Sequence, residues 1–317
     1  MKQSAQGGFG IDAVCVGETM ALLVPDPPEA PEDADSFRLL AGGAESNVAV
    51  HLARAGHSVV WHSALGDDGL GLRIHQTLTA ENVTCEARVS PEHPTGLYLK
   101  ELGAEGTRVR YYRQGSAATT LGPEDADRIL DRAPRVVHTT GITAALSESA
   151  AALVTRLLTT DRPGTLRSFD VNHRPALHGP HHTEPLLEAA RSADVVFCGL
   201  DEAEALWGSR STDEVRALLP EPWLLVVKQG ARGATAYSEG RSWSRGAPDV
   251  EVVEPVGAGD AFAAGVLHTL LSGAPMDDCL DEGTRLAGQV LGVHDDIPPR
   301  TRPSGGAVAA SQSQGTG

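Results

Sequence analysis

The segment VVEPVGAGDAFAAG, residues 252–265, joins a glycine-rich turn to a helical pattern of apolar residues. The small residues Gly257, Ala258 and Gly259 are therefore predicted to open a helix. Free N–H groups at a helix start attract anions, and glycine lets a charged group approach the backbone closely. One carboxylate, Asp260, follows directly. Two interpretations are open: Asp260 caps the helix, or it accepts a proton from a hydroxyl while the amides hold phosphoryl charge.

Short apolar runs alternate with helical patterns along the rest of the chain. The runs are continuous rather than alternating, which is typical of strands that are buried on both faces of a parallel sheet. The β-α-β order predicts an α/β fold with a mainly parallel sheet. Strands are predicted at 12–18, 58–66, 135–141, 166–172, 193–199 and 223–230, and helices at 44–56, 148–158 and 184–192.

Two segments interrupt this order, residues 22–40 and 95–116. Both have extended, partly polar patterns, and the alternation around 95–113 predicts a β-hairpin with one solvated face. We expect these segments to form a small lid over a cleft. Residues 301–317 contain few bulky side chains and are predicted to be a disordered tail.

Composition excludes several classes of protein. The formal net charge of −16 is spread along the 317 residues, which argues against nucleic acid as a partner. No apolar run approaches the roughly 20 residues needed to cross a bilayer, so no membrane partner is expected. The four cysteines are scattered and no secretory signal is visible, which indicates a reduced, cytoplasmic protein. The histidines of HGPHH (178–182) are interpreted as part of a solvated loop rather than a metal site.

Two further motifs give the glycine-rich turn a context. AGGAESNVAVHLARAGHSVVWHSALGDDGLG (41–71) precedes it, and VVKQGARGA (226–234) lies between the two. Together the motifs resemble the ribokinase-like (PfkB) family of carbohydrate kinases over residues 11–298. The resemblance implies one kinase domain at 11–300, folded as a three-layer sandwich with a mainly parallel sheet and a small β-sheet lid. It also implies ATP as co-substrate, Mg²⁺ as cofactor and a homodimer formed through the lid. It leaves open whether a monovalent cation takes part.

The resemblance assigns roles to single residues. Asp260 becomes the base, and the amides of Gly257, Ala258 and Gly259 become the anion hole. Asn47 is assigned to the sugar pocket, although local capping of its helix is an alternative, and Lys228 is assigned to the nucleotide, with an exposed strand end as the alternative. The remaining carried-over positions are Gly42 and Gly43 for the sugar and Gly230 and Gly233 for ATP.

The sequence departs from the family pattern at the Asn-x-x-Glu motif. Here it reads GLDE (199–202), so that Gly199 stands in the asparagine position and Glu202 is retained. The resemblance implies that Glu202 holds Mg²⁺ through water. The alternative is that Glu202 is an ordinary acid in the first turn of a helix.

The substrate is indicated by three other segments. Leu22 occupies the place where sugar kinases for ribose or fructose commonly carry an aspartate. HPTGLYLKE (93–101), VRYYRQGSAA (109–118) and FDVNHRPAL (169–177) instead resemble the substrate segments of 2-keto-3-deoxygluconate kinases. Arginine binds carboxylates bidentately, as an acid sugar requires. The implied substrate contacts are Tyr98, Tyr111, Arg113 and Arg174.

The expected function is therefore ATP-dependent transfer of a phosphoryl group to a primary hydroxyl of a sugar acid. Alternating Tyr and Arg can also be ordinary exposed strand residues, which leaves a kinase for fructose or a related sugar as the alternative. A sugar-binding regulator without catalysis is a more remote one.

Overall fold

Thirteen strands form two sheets in residues 10–103, 106–293 and 295–298, the part of the chain that this computed structural model describes. The strands are β1 (Ala13–Val16), β2 (Met20–Pro25), β3 (Phe37–Gly42), β4 (Val59–Gly66), β5 (Thr84–Ser90), β6 (Leu97–Gly103), β7 (Gly106–Tyr112), β8 (Val136–Thr140), β9 (Leu166–Asp170), β10 (Val195–Gly199), β11 (Leu224–Lys228), β12 (Ala234–Ser238) and β13 (Arg241–Arg245). The tail predicted at 301–317 lies outside the described residues.

The larger sheet has the order β13-β12-β11-β10-β9-β8-β1-β4-β5. Its pairs are parallel from β5 to β11, and only the two pairs at one edge, β11 with β12 and β12 with β13, are antiparallel. Every residue of β8 and of β10 is buried, which explains why these strands have no polar alternation. The prediction of a mainly parallel sheet is confirmed.

Helices cover both faces of this sheet. They are α1 (Ala44–Arg54), α2 (Gly69–Ala80), α3 (Pro123–Leu130), α4 (Gly141–Ala144), α5 (Glu148–Thr159), α6 (Thr183–Ser192), α7 (Leu200–Trp207), α8 (Thr212–Leu218), α9 (Ala258–Leu271) and α10 (Met276–Leu291). Alternate residues of one strand serve opposite cores. Val226 packs in the cluster with α1, α9 and α10, whereas Leu225 and Val227 pack in the cluster with α6, α7 and α8. The predicted three-layer sandwich is confirmed.

The smaller sheet has the order β3-β2-β6-β7. β6 and β7 form the predicted hairpin, β3 pairs antiparallel with β2, and β2 pairs parallel with β6. One face of this sheet has its own apolar cluster, which contains Met20, Leu22, Val24 and Tyr98. The sheet is the predicted lid.

The cleft lies where the carboxyl ends of the parallel strands meet the lid. Glu18 follows β1, Asn172 follows β9, and Lys228 ends β11. Side chains and loops at this edge are a common place for ligands in α/β sheets. They line a cavity of about 580 Å³ together with lid residues.

Candidate active site

The glycine-rich turn begins helix α9 as predicted. Gly257 is the N-cap and has a φ of +85°, a conformation that favours glycine, and a Cβ there would lie 2.8 Å from the carbonyl oxygen of Asp296. Gly257 and Gly259 line the cavity. Ala258 is not among the lining residues, and its N–H donates a long 3.3 Å bond to the carbonyl of Pro255. The anion-hole roles of these three residues stay predictions.

Asp260 is the third residue of α9 and points into the site, where it is only 8% exposed. Its Oδ2 accepts a 2.8 Å hydrogen bond from Asn47 Nδ2, and Asn172 Nδ2 lies 3.5 Å from Oδ1. Burial raises the pKa of Asp260 to about 7, and the carboxylate of Asp170 adds to this, whereas the bond from Asn47 lowers the pKa. A carboxyl with this pKa can accept a proton near neutral pH.

Lys228 is a partly buried residue with 19% of its side chain exposed, not the exposed strand end that was the alternative. Its Nζ donates to both carboxylate oxygens of Asp170, at 2.8 and 3.0 Å. Burial alone would lower the pKa of Lys228, but the carboxylates of Asp170 and Glu202 raise it above its usual value. The ammonium therefore remains charged in the cavity that it lines.

Glu202 is the first-turn helix acid of the alternative interpretation, and its role in holding Mg²⁺ stays a prediction. Its Oε2 accepts a 2.7 Å bond from the N–H of Gly199 and so caps helix α7, and its Oε1 accepts from the N–H of His173 at 3.2 Å. Glu202 also lines the cavity. Burial raises its pKa, and Asp170 does so too, whereas Lys228 lowers it.

Arg113 lies just after the lid hairpin and is held by the core of the molecule. It forms an ion pair with Glu18, whose other carboxylate oxygen accepts a hydrogen bond from Ser116. The Arg113 guanidinium also lies 5.7 Å from the ring centroid of Tyr111. This group therefore enters the cavity from a fixed position.

Two tyrosines and a second arginine also line the cavity. The rings of Tyr98 and Tyr111 lie 5.9 Å apart, and the Tyr98 hydroxyl donates to Asp296 Oδ2 at 2.8 Å. Arg174 donates from Nη1 to the carbonyl of His173 and keeps 42% of its side chain exposed. The cavity thus holds a buried carboxyl group, two guanidinium groups and aromatic walls.

Comparison with known proteins agrees with this geometry. The family described as pfkB family carbohydrate kinase matches residues 11–302, which is most of the chain. The chain belongs to this family. The protein is therefore a sugar kinase, and kinases of this family use ATP.

Relatives and solved structures resemble this kinase over nearly its whole length. A 2-dehydro-3-deoxygluconokinase of Bacillus subtilis is 35% identical over 92% of this chain and 94% of its own length. One of Thermoproteus tenax is 34% identical over 90% of each chain. The crystal structure of a PfkB protein from Polaromonas is 32% identical, with a TM-score of 0.81 over 89% of this chain and 96% of that one.

The predicted glycines of the kinase differ in their surroundings. A Cβ on Gly42 would lie 1.9 Å from the Tyr98 hydroxyl, and one on Gly43 would lie 2.3 Å from the carbonyl oxygen of Glu18. Gly230 has a positive φ and lines the cavity. Gly233 is not among the lining residues, and it packs against the backbone of Arg245. Close packing explains Gly233 without a bound nucleotide.

Two expectations about the kinase need comment. Leu22 lies in the lid core and does not line the cavity, whereas Met20 does. The interpretation of HGPHH as a solvated loop is wrong for His178. This ring is buried, with Nε2 2.9 Å from the carbonyl oxygen of Gly141 and Nδ1 accepting from the N–H of Arg174 at 2.9 Å. In the described residues no cluster of three or more His, Cys, Asp or Glu is placed to hold a metal.

Several site residues of the kinase were not singled out in the sequence. Asn172 and Lys100 lie inside quoted segments, in FDVNHRPAL and HPTGLYLKE, and Asn172 has the unusual φ of +43°. Glu18 follows the first strand directly, which was a usable signal. Asp296 lies beyond the last helix, and no feature of the sequence indicated that it belongs to the site.

Among the described residues, no helix combines the length and apolar character of a membrane span.

Proposed function

We propose that this kinase transfers the γ-phosphoryl group of ATP to the terminal primary hydroxyl of 2-keto-3-deoxygluconate. The observation that carries the proposal is that Arg113 and Arg174 line the same cavity as Asp260. Two guanidinium groups suit a substrate that carries a carboxylate, because their hydrogen bonds to it are charge-assisted. Two relatives are named for this sugar acid under its other name, 2-dehydro-3-deoxygluconate.

The proposed reaction uses Asp260 as the general base. Asp260 accepts the proton of the primary hydroxyl, the hydroxyl oxygen bonds to the γ-phosphorus, and the bond to the β-phosphate oxygen breaks to release ADP. The pKa of about 7 leaves a large fraction of Asp260 ionised at neutral pH. The N–H groups at the start of α9 and the Lys228 ammonium are the local positive groups that offset phosphoryl charge.

Mg²⁺ fits the donor set of this cavity as a companion of ATP. The ion usually keeps several waters and uses one or two carboxylates together with substrate phosphates. Glu202 lines the cavity and can hold the ion through water. Asp170 lies nearby, where it forms an ion pair with Lys228. When bound, the ion neutralises phosphate charge.

The proposed setting is the cytoplasm, as a homodimer formed through the lid. All four cysteines are free thiols, which fits a reducing compartment where ATP is available. The outer face of the lid carries half-buried Leu23, Leu39 and Leu99 in one row across three strands. A second copy of the chain is a natural cover for such an apolar face.

A substrate panel tests the proposed function. ADP release is measured with ATP, Mg²⁺ and 2-keto-3-deoxygluconate, its C4 epimer, fructose or ribose. We expect the highest kcat/KM for a 2-keto-3-deoxy sugar acid. A strong preference for fructose or ribose contradicts the substrate, and sugar binding without ADP release favours the regulator.

The variant Arg113→Met sharpens this test. Loss of a hydrogen bond to a charged group is worth about 1.5–3 kcal/mol, so KM for the sugar acid should rise roughly 10- to 100-fold. The matched control is Arg110→Met, which removes an exposed arginine of the same hairpin that pairs with Glu101. An unchanged KM in Arg113→Met contradicts carboxylate binding by Arg113.

A further inference from the structure

Lys100 is a lysine of lid strand β6 whose side chain is only 1% exposed, among the largest fully buried side chains of the described residues. Its Nζ donates to Asp296 Oδ1 at 2.9 Å and lies 3.8 Å from Glu254 Oε2. Both acids are buried as well. A charge is rarely buried without a partner, and here one cation faces two carboxylates.

Both acids are part of the support of the glycine-rich turn. Glu254 Oε1 lies 3.3 Å from the N–H of Val256, which precedes Gly257 directly. The backbone of Asp296 packs so closely on Gly257 that a Cβ there would meet its carbonyl oxygen at 2.8 Å. Neither Lys100 nor Glu254 lines the cavity, whereas Val256 and Gly257 do. The cation therefore contacts the acids that support the turn without lining the cavity itself.

The sign of the charge matters at this place. The start of α9 has to stabilise the negative charge of a transferred phosphoryl group. Two uncompensated carboxylates directly behind it would repel that charge, and they would also repel each other in a medium of low dielectric constant. The Lys100 ammonium reduces both effects. Since Lys100 belongs to the lid, its charge is present at the turn only when the lid is seated.

We propose that Lys100 is a positioning residue, a tethered cation of the lid that offsets part of the charge of Glu254 and Asp296 and so fixes the anion-binding turn. Tyr98, on the same strand, anchors the other oxygen of Asp296. Arg38 on strand β3 adds a 2.9 Å ion pair to the neighbouring Asp295. Tyr98, Lys100 and Arg38 thus hold the lid on the neighbouring acids Asp295 and Asp296. Of the three side chains, Lys100 carries the buried charge.

Chemical rescue tests the proposal. Lys100→Ala removes the cation and leaves room for a small one, Lys100→Met fills the space without charge, and Lys100→Arg keeps a charge. We expect kcat to fall about 10- to 100-fold in Lys100→Ala and Lys100→Met, with a smaller change in the KM of the sugar, because the defect lies in stabilising transferred charge. Propylamine or butylamine at millimolar concentration should restore kcat saturably in Lys100→Ala, but not in Lys100→Met.

The controls separate this inference from the choice of substrate. Activity is read with whichever sugar of the panel the wild-type kinase phosphorylates, so a wrong substrate does not affect the outcome. Arg110→Met, an exposed variant of the same hairpin, should show normal kcat and no amine effect. Lys100→Arg should retain more activity than Lys100→Met.

Two results overturn the proposal. The first is a kcat of Lys100→Ala close to that of the wild type without amine, or a low kcat that no amine restores while the circular dichroism spectrum is unchanged. The second is measured on the activity of the wild type, so it tests the proposal even if Lys100→Ala does not fold. The wild type should work equally well in potassium and in tetramethylammonium salts, and activation by potassium of more than about fivefold contradicts a built-in cation.

Discussion

Asp260 shows how one carboxyl can serve as a base at neutral pH. Burial disfavours its charged form, while the amide of Asn47 partly compensates by donating to it. The result is a pKa of about 7 instead of the ordinary 3.8. A base with a pKa close to the working pH combines a useful ionised fraction with a real affinity for the proton.

This pKa gives a prediction about activity. A base works in its deprotonated form, so kcat/KM of the wild type should fall as the pH drops through about 7. Asp260→Asn should keep the fold and lose roughly 100- to 10,000-fold in kcat. The measurement is a pH–rate profile of both proteins between pH 5 and 9. A flat wild-type profile across pH 7, or near-normal turnover of Asp260→Asn, is incompatible with the assignment.

Helices and strands were more predictable from the sequence than the contacts between them. The parallel strands are continuous apolar runs, as in β10 and β11, because both of their faces are covered. The glycine-rich turn and helix α9 were equally clear in the sequence. The positive φ of Gly257 at the helix start explains why a glycine stands there. These features are local, so a short stretch of chain contains the information that specifies them.

The charged partners of the site could not be read in the same way. Lys100 belongs to an alternating strand, where a lysine usually indicates the solvated face. It is buried instead, and its partner Asp296 is 196 residues away in the sequence. Gly233 belongs to a nucleotide-side motif, but the structure packs it on the backbone of Arg245. Such contacts exist only after the strands have come together in the folded molecule, and neither member indicates the other in the sequence.

The contact between the end of β1 and the end of the lid hairpin gives a prediction at the scale of elements. Glu18 and Arg113 are both largely buried and form an ion pair there. In a double-mutant cycle with Glu18→Gln and Arg113→Met, we expect a coupling energy of about 1–3 kcal/mol in the free energy of unfolding. Urea unfolding monitored by fluorescence measures it. The exposed pair Arg156–Asp127 is the comparison and should couple by less than about 1 kcal/mol. Equal coupling in both pairs speaks against a buried link.

At the scale of the whole molecule, the lid has two faces with different tasks. The inner face packs Met20, Leu22 and Val24 and contributes Tyr98 to the site. Because side chains alternate along a strand, the residues between these lie on the outer face. Phe37 and Tyr112, 38% and 56% exposed, belong to that face. In the proposed dimer, the second copy would cover the outer face of the same sheet whose inner face contributes cavity residues.

The proposed dimer predicts a defined change in mass. Leu39→Arg places a charge at one end of the outer row, next to Leu23, and should convert a dimer to a monomer in sedimentation velocity at micromolar concentration. Trp223→Arg is the control, since it removes an apolar side chain that is 42% exposed just before β11, away from the lid sheet. It should stay a dimer. If the monomer also shows a raised KM for the sugar, the second copy holds the lid in place over the cavity. A wild type that sediments as a monomer rules out the lid dimer, because the kinase would then leave this face to solvent.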